Sequence, residues 1–223
     1  MSLPSWVDPV ARYVLETGLR NTLRMAGFAV LGSAVVGVVL GTLLTIRFWP
    51  SRVVIRLYIE VWRGLPIIVT IFIIYFALPS IGLRFSAFDA GMIGLILWGS
   101  AQVAEATRGA VQSIPREQHE AAAALGFGWV GTHAFVILPQ ALRRLLPPMV
   151  SLLANVIQNT TIAAVIGVAE VLETANRQVE RLTYTTFESH AFEIFAGVMA
   201  IFFVISFPLT LLARRLERRL VSS

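Results

Sequence analysis

The sequence predicts an all-α membrane protein with five transmembrane helices, its N-terminus outside and its C-terminus cytoplasmic. Three observations lead there. Of the 223 residues, 57% are hydrophobic and 14% charged, and the mean hydropathy of +0.76 lies well above that of soluble domains. Five stretches approach the roughly 20 apolar residues that a hydrocarbon core about 30 Å thick requires of a helix. All 18 basic residues are arginine, and their distribution over the connections orients the chain.

The expected spans are 25–46, 64–83, 90–104 with an extension through Glu105 and Arg108, 145–169 and 194–213. The opening "MSLPSWVDPVARYVLETGLR" lacks a basic region followed by an apolar core, so it reads as a retained external segment, 1–24, rather than a cleaved signal. In the first span Gly37 and Gly41 have a spacing that lets helices approach closely, or that glycine tolerance in membrane helices explains equally. Residues 25–213 form the membrane domain and 214–223 a cytoplasmic tail.

Orientation follows from the arginines. One set of connections carries Arg47, Arg52, Arg56, then Arg108, Arg116, Arg143 and Arg144, then "ARRLERRL". The opposite set balances Arg84, Arg177 and Arg181 against Asp89, Glu170, Glu173, Glu180 and Glu188. The first set is expected in the cytoplasm, and with it the connection at about 109–143. Arg12, Arg20 and Arg24 count against this orientation, with Asp8 and Glu16 as a partial offset.

Within that connection, "SIPREQHEAAAALGFG" predicts a short helix. Pro115 suits its start, Glu117 its first turn and Gly126 a left-handed end. Ala121 to Ala124 would leave a smooth surface open to another protein, with Glu120 as a charged handle. A helix lying flat on the membrane interface fits the same residues.

Glu120-Ala121-Ala122, then Gly126, then Val136-Ile137-Leu138-Pro139 resembles the EAA loop of bacterial ABC importer permeases. "EVWRGLPIIVTIFIIYFALP", "AEATRGAVQSIPREQHEAAAALG", "LPQALRRLLPP" and "AAVIGVAEVL" are similar, in order, to the polar amino acid branch of that family. The resemblance implies a type I ABC importer permease architecture in the cytoplasmic (inner) membrane of a bacterium. It also implies a coupling helix that docks on a separate cytoplasmic ATPase dimer, a role carried here onto Glu120, Ala121, Ala122 and Gly126. The further partners it implies are a second permease, homologous or a second copy, and an extracytoplasmic amino acid binding protein. Membrane lipid surrounds the chain. With no lysine anywhere, the chain cannot hold a G-x-x-x-x-G-K-[ST] loop, so ATP hydrolysis would belong to a partner.

Two polar features fall inside spans. Glu60 with Arg63, and Glu105 with Arg108, each place an acid and an arginine three residues apart on one helix face, where the charges can neutralise each other. They read as an inner gate or transmission joint, or as arginines reaching for the interface. Gln158, Asn159, Thr160 and Thr161 are four consecutive polar residues near the middle of the fourth span. Some of them should line a substrate cavity, because polar groups at mid-membrane are costly elsewhere. Back-bonding of the threonines and packing through the amides is the competing account. Many amino acid permeases that the chain resembles have Lys-Asp-Thr-Ser at these positions, so with Asn159 either the substrate is held differently, as an acidic or amide amino acid such as glutamate or glutamine, or a second permease subunit supplies the missing carboxylate.

Other classes fit poorly. His119, His133 and His190 lack metal-ligand spacing, and no nucleophile motif is present, so neither catalysis, a metal nor a cofactor is expected. Nucleic-acid binding would need a basic stripe on a soluble surface. The rival reading is a subunit of a secondary transporter or channel working without an ATPase.

Overall fold

The computed structural model describes residues 4–46 and 48–221. Arg47 therefore lies outside the described residues, as do 1–3 and 222–223 and the Arg219 side chain. The helices are α1 (Val7–Leu43), α2 (Trp49–Gly64), α3 (Ile67–Ile81), α4 (Ala87–Gln112), α5 (Arg116–Ala124), α6 (Trp129–Ile166), α7 (Val171–Thr186) and α8 (Ala191–Val221). Among the described residues α1, α4, α6 and α8 are long and apolar enough to cross a membrane, and the broken pair α2 and α3 makes a fifth span when counted as one.

Several boundaries differ from the sequence expectation, each for a physical reason. The helix begins at Val7, so most of the segment 1–24 continues the first span. Asp8 and Arg12 pair at 3.1 Å one turn apart, and such charges decorate a helix without ending it. The 109–143 connection shrinks to 113–128, because α4 runs on through Gln112 and α6 begins at Trp129. A π-helical stretch, Thr132–Ile137, precedes Pro139, a local geometry suited to a residue without an N–H. The tail 214–223 is helical to Val221. Between α2 and α3 the chain breaks at Leu65 and Pro66, both extended, as a residue preceding proline prefers.

The chain divides into two compact units. The first comprises Met1–Val30, Pro66–Ile96 and Leu153–Leu209. Its core packs Val10 and Val14 against Val171, Ala175, Leu182, Ile194 and Val198. Polar bonds fix the α6–α7 connection to α1: Asn21 donates to the Ala169 carbonyl at 2.9 Å, and the Val171 N–H donates to the Thr22 hydroxyl at 3.2 Å. Glu170 is fully buried and caps α7, its two carboxylate oxygens accepting from the Leu172 and Glu173 N–H groups at 2.9 and 2.7 Å.

The second unit comprises Leu31–Leu65, Leu97–Leu152 and Thr210–Ser223. Here α1 meets α4 through its glycines. A Cβ on Gly37 would lie 2.7 Å from the Ser100 carbonyl and collide with Val103, and one on Gly41 would collide with the Ala104 carbonyl and Thr107. In lipid, such close approach replaces the hydrophobic effect as the source of helix association. Ile55 and Ile59 of α2 pack with Leu44 and Ala104, and the Tyr58 and Ser100 hydroxyls bond at 2.7 Å. A second cluster joins Ala110, Val111 and Ile114 to Ile137, Ala141 and Leu145.

Candidate functional site

α5 is built as the sequence reads, displaced by one residue. Pro115 is the N-cap, with ψ near 143°, and the helix starts at Arg116. Its end is a Schellman turn. The Phe127 N–H donates to the Ala122 carbonyl at 3.1 Å and the Gly126 N–H to the Ala123 carbonyl at 3.0 Å, with Gly126 in the left-handed region at φ +81°. A residue with a Cβ is disfavoured there. Ala122 is buried, whereas Glu120, Ala121, Ala123 and Ala124 are exposed. Glu120 pairs with Arg116 at 2.9 Å in the open.

The surface around these alanines is more apolar than the alanines alone suggested. Leu125, Val130 and Phe135 are all more than two-thirds exposed, and Phe127 and Trp129 border them. The signal was present as the apolar run "LGFGWVGTHAF", but helical periodicity does not assign residues in a turn to a common face. Behind the turn, His133 stacks on Trp129 with ring centroids 4.1 Å apart. Its Nδ1–H donates to the Trp129 carbonyl at 2.9 Å, and its Nε2 lies 3.1 Å from the Thr45 hydroxyl. Two side chains tie α6 to the α5 region. Gln140 donates to Gln118 at 3.3 Å, and Arg144 donates to both the carbonyl and the hydroxyl of Ser113 at 2.7 Å.

The two acid–arginine echoes separate. Glu105 and Arg108 form a two-pronged pair on α4, one bond at 3.0 Å, and Arg108 also donates to Gln112. Glu60 and Arg63 form no ion pair among the described residues. Both are exposed at the end of α2, where water or headgroups can solvate each charge separately. The sequence spacing alone could not distinguish the two cases.

The polar quartet also divides. α-Helical geometry ends at Asn159 and a 3-10 stretch, Thr160–Ile166, follows. Thr160 is fully buried and donates to the Ile157 carbonyl at 2.7 Å, and Thr161 donates to the Gln158 carbonyl at 2.8 Å. Their hydroxyls thus hold the change of helix type. Gln158 is exposed and Asn159 half-buried, so their amides remain the groups able to meet a ligand.

The model of the binding-protein-dependent transport system inner membrane component family matches residues 33–222. The chain belongs to this family. As a permease subunit of that kind it is an inner-membrane protein, and its relatives carry the same role. It is 38% identical over 209 residues to the glutamine transport system permease protein GlnP of Escherichia coli strain K12, covering 93% of each chain. It is 32% identical to the probable glutamine ABC transporter permease protein GlnM of Bacillus subtilis, covering 92% of this chain and 93% of the relative. Among solved structures, an amino acid ABC transporter crystallised with histidines matches with a TM-score of 0.80 at 29% identity, over 98% of this permease and 100% of that chain. A MetNI methionine ABC transporter chain at 18% identity shares the fold, with a TM-score of 0.76 over 98% and 99%. The permease is thus a polar amino acid ABC importer subunit, and the secondary transporter and channel readings fall away.

Proposed function

We propose that this permease carries an amide amino acid, glutamine foremost, inward across the membrane, energised by an ATPase dimer that docks on α5. Support for the substrate comes from the 38% identity to a glutamine permease over 93% of both chains and from Asn159, which offers hydrogen bonds in place of a charge. The observation that carries the docking surface is α5 itself: a short, exposed helix of alanines, closed by a left-handed glycine and rimmed by exposed apolar side chains. Glu120, Ala121, Ala122 and Gly126 are the coupling residues, with Ala122 supporting the helix from beneath.

The arginine bias supports a cytoplasmic α5 and an external N-terminus. Two membrane subunits work together, either two copies or this chain with a homologue, and an external binding protein delivers the amino acid. When the ATPases close on ATP, α5 follows, and the bonds from Gln118 and Ser113 to Gln140 and Arg144 draw on α6. The same helix carries Gln158 and Asn159 at its other end. Substrate is held by these two amides, with Thr160 and Thr161 setting the backbone beneath them. Glu105 and Arg108 form a fixed joint on α4, and Glu60 and Arg63 sit free at the end of α2, where a gate could form.

The test is purification from native membranes in mild detergent with identification of every co-purifying chain, for the wild type and Glu120→Arg. An ATPase should accompany the wild type. Charge reversal at Glu120 should place two arginines one turn apart, Arg116 and the new side chain, and release the ATPase while the permease stays folded. Wild-type uptake and retention in that variant would overturn the docking assignment.

A further inference from the structure

α2 presents three rows of side chains. Ile55 and Ile59 are buried against Leu44 and Ala104. Trp49, Val53, Leu57 and Val61, each four residues on, form an exposed apolar row, with Trp49 71% and Leu57 64% exposed. On the other flank lie Arg52 and Arg56, one turn apart and both exposed, with Arg63 further along. Among the described residues none of these three guanidinium groups is in a salt bridge. Arg52 and Arg56, with Trp49 and Val53, line a shallow cavity of about 200 Å³. On its other side Arg52 lines a second cavity of about 690 Å³, together with Gln112, Arg116 and His119. No carboxylate lines either space.

We propose that α2 is a binding site for an anionic phospholipid. The phosphodiester sits between Arg52 and Arg56, whose planar forks match phosphate oxygens. The rest of the headgroup extends into the larger cavity beside Arg116, and an acyl chain covers the Trp49-to-Val61 row. That row spans 12 residues, about 18 Å at 1.5 Å per residue, so it suits a chain rather than a headgroup. At the end of a span, arginines can reach headgroup phosphates while the apolar stripe beside them meets acyl chains, so both needs are met at once. A free phosphate would satisfy the arginines and leave the apolar row bare.

The test measures phospholipid retained on the purified, detergent-solubilised complex by native mass spectrometry, after exchange into phosphatidylglycerol or phosphatidylcholine of matched chains. Wild type should prefer phosphatidylglycerol. Arg52→Gln with Arg56→Gln should lower its retention at least about tenfold, the loss of two charge-assisted contacts, to the phosphatidylcholine level. Arg143→Gln with Arg215→Gln removes the same charge elsewhere and should leave retention unchanged. These arginines are exposed, so the variants should elute and unfold as the wild type does. Equal loss in both double variants, or no preference in the wild type, would overturn the site. Displacement of the lipid by inorganic phosphate would make the occupant a free anion, and spontaneous Val53→Cys cross-linking between permeases would make it a second copy; either result overturns the proposal.

Discussion

Glu170→Gln should remove one pH-dependent contribution to stability. Glu170 is fully buried in the α6–α7 connection, and burial raises its pKa from 4.5 to about 7; the Leu172 and Glu173 N–H groups act against that rise and the Glu173 charge adds to it. Because the folded-state value is the higher one, the folded chain binds more protons than the unfolded chain between pH 4.5 and 7. The contribution of Glu170 to stability is therefore greatest below about 4.5 and falls as pH rises through 7, by about 3 kcal/mol for a shift of this size. Glutamine does not titrate, and like the protonated acid it offers one carbonyl acceptor to the two N–H groups. The variant should match wild type at about pH 4.5 and be more stable by about 3 kcal/mol at about pH 8. At 2–4 °C per kcal/mol, the difference in midpoint, variant minus wild type, should climb by about 6–12 °C between those pH values. Thermal scans of tryptophan fluorescence on the purified permease measure it, and taking the difference cancels all other titrations. A difference that stays constant with pH, or falls, would refute the burial argument.

Two further variants bear on transport. Asn159→Leu removes an amide from the end of α6 and keeps an apolar volume, so it should raise the KM for substrate uptake in proteoliposomes at least about tenfold, the loss of one or two buried hydrogen bonds, while the ATPase still co-purifies. Unchanged kinetics would assign Asn159 to packing. Gly126→Ala puts a Cβ at φ +81°, which costs about 1 kcal/mol in the left-handed region, and it should weaken ATPase binding about fivefold in a titration of purified components without unfolding the membrane helices.

The membrane helices were legible because lipid leaves few choices: apolar length fixes a span. What the sequence hid were the helix ends. Asp8, Arg12 and Arg20 look like the edge of a span when hydropathy is summed, yet they lie within one continuous helix because charge does not interrupt backbone hydrogen bonding. α7 is hidden for the opposite reason, since "VLETANRQVERLTYTT" is too polar to span and reads only as an external connection. Its cap, Glu170, was visible as a charge and not as a buried one. At the candidate sites the short α5 with its glycine end was fully readable, because alanine, proline and glycine act through local backbone geometry. Pairing was not: identical E-x-x-R spacings gave a clasped pair at Glu105 and an open one at Glu60, and the difference depends on tertiary surroundings that one helix's spacing does not contain.

The ties around α5 limit how force can travel. Gln118 to Gln140 is a long bond between partly exposed amides, and Arg144 to Ser113 lies at the surface, so each contributes modestly in water. A motion carried by them alone would slip. The apolar cluster of Ala110, Val111 and Ile114 with Ile137, Ala141 and Leu145 sits directly behind them, and close-packed groups resist sliding because any displacement opens a void or forces overlap. If the ATPase docks on α5 as proposed, transmission to α6 should run through Ile114 and Ile137, with the polar bonds fixing register. Enlarging the cavity there, rather than cutting a surface bond, is the change that should separate ATP hydrolysis from movement of α6.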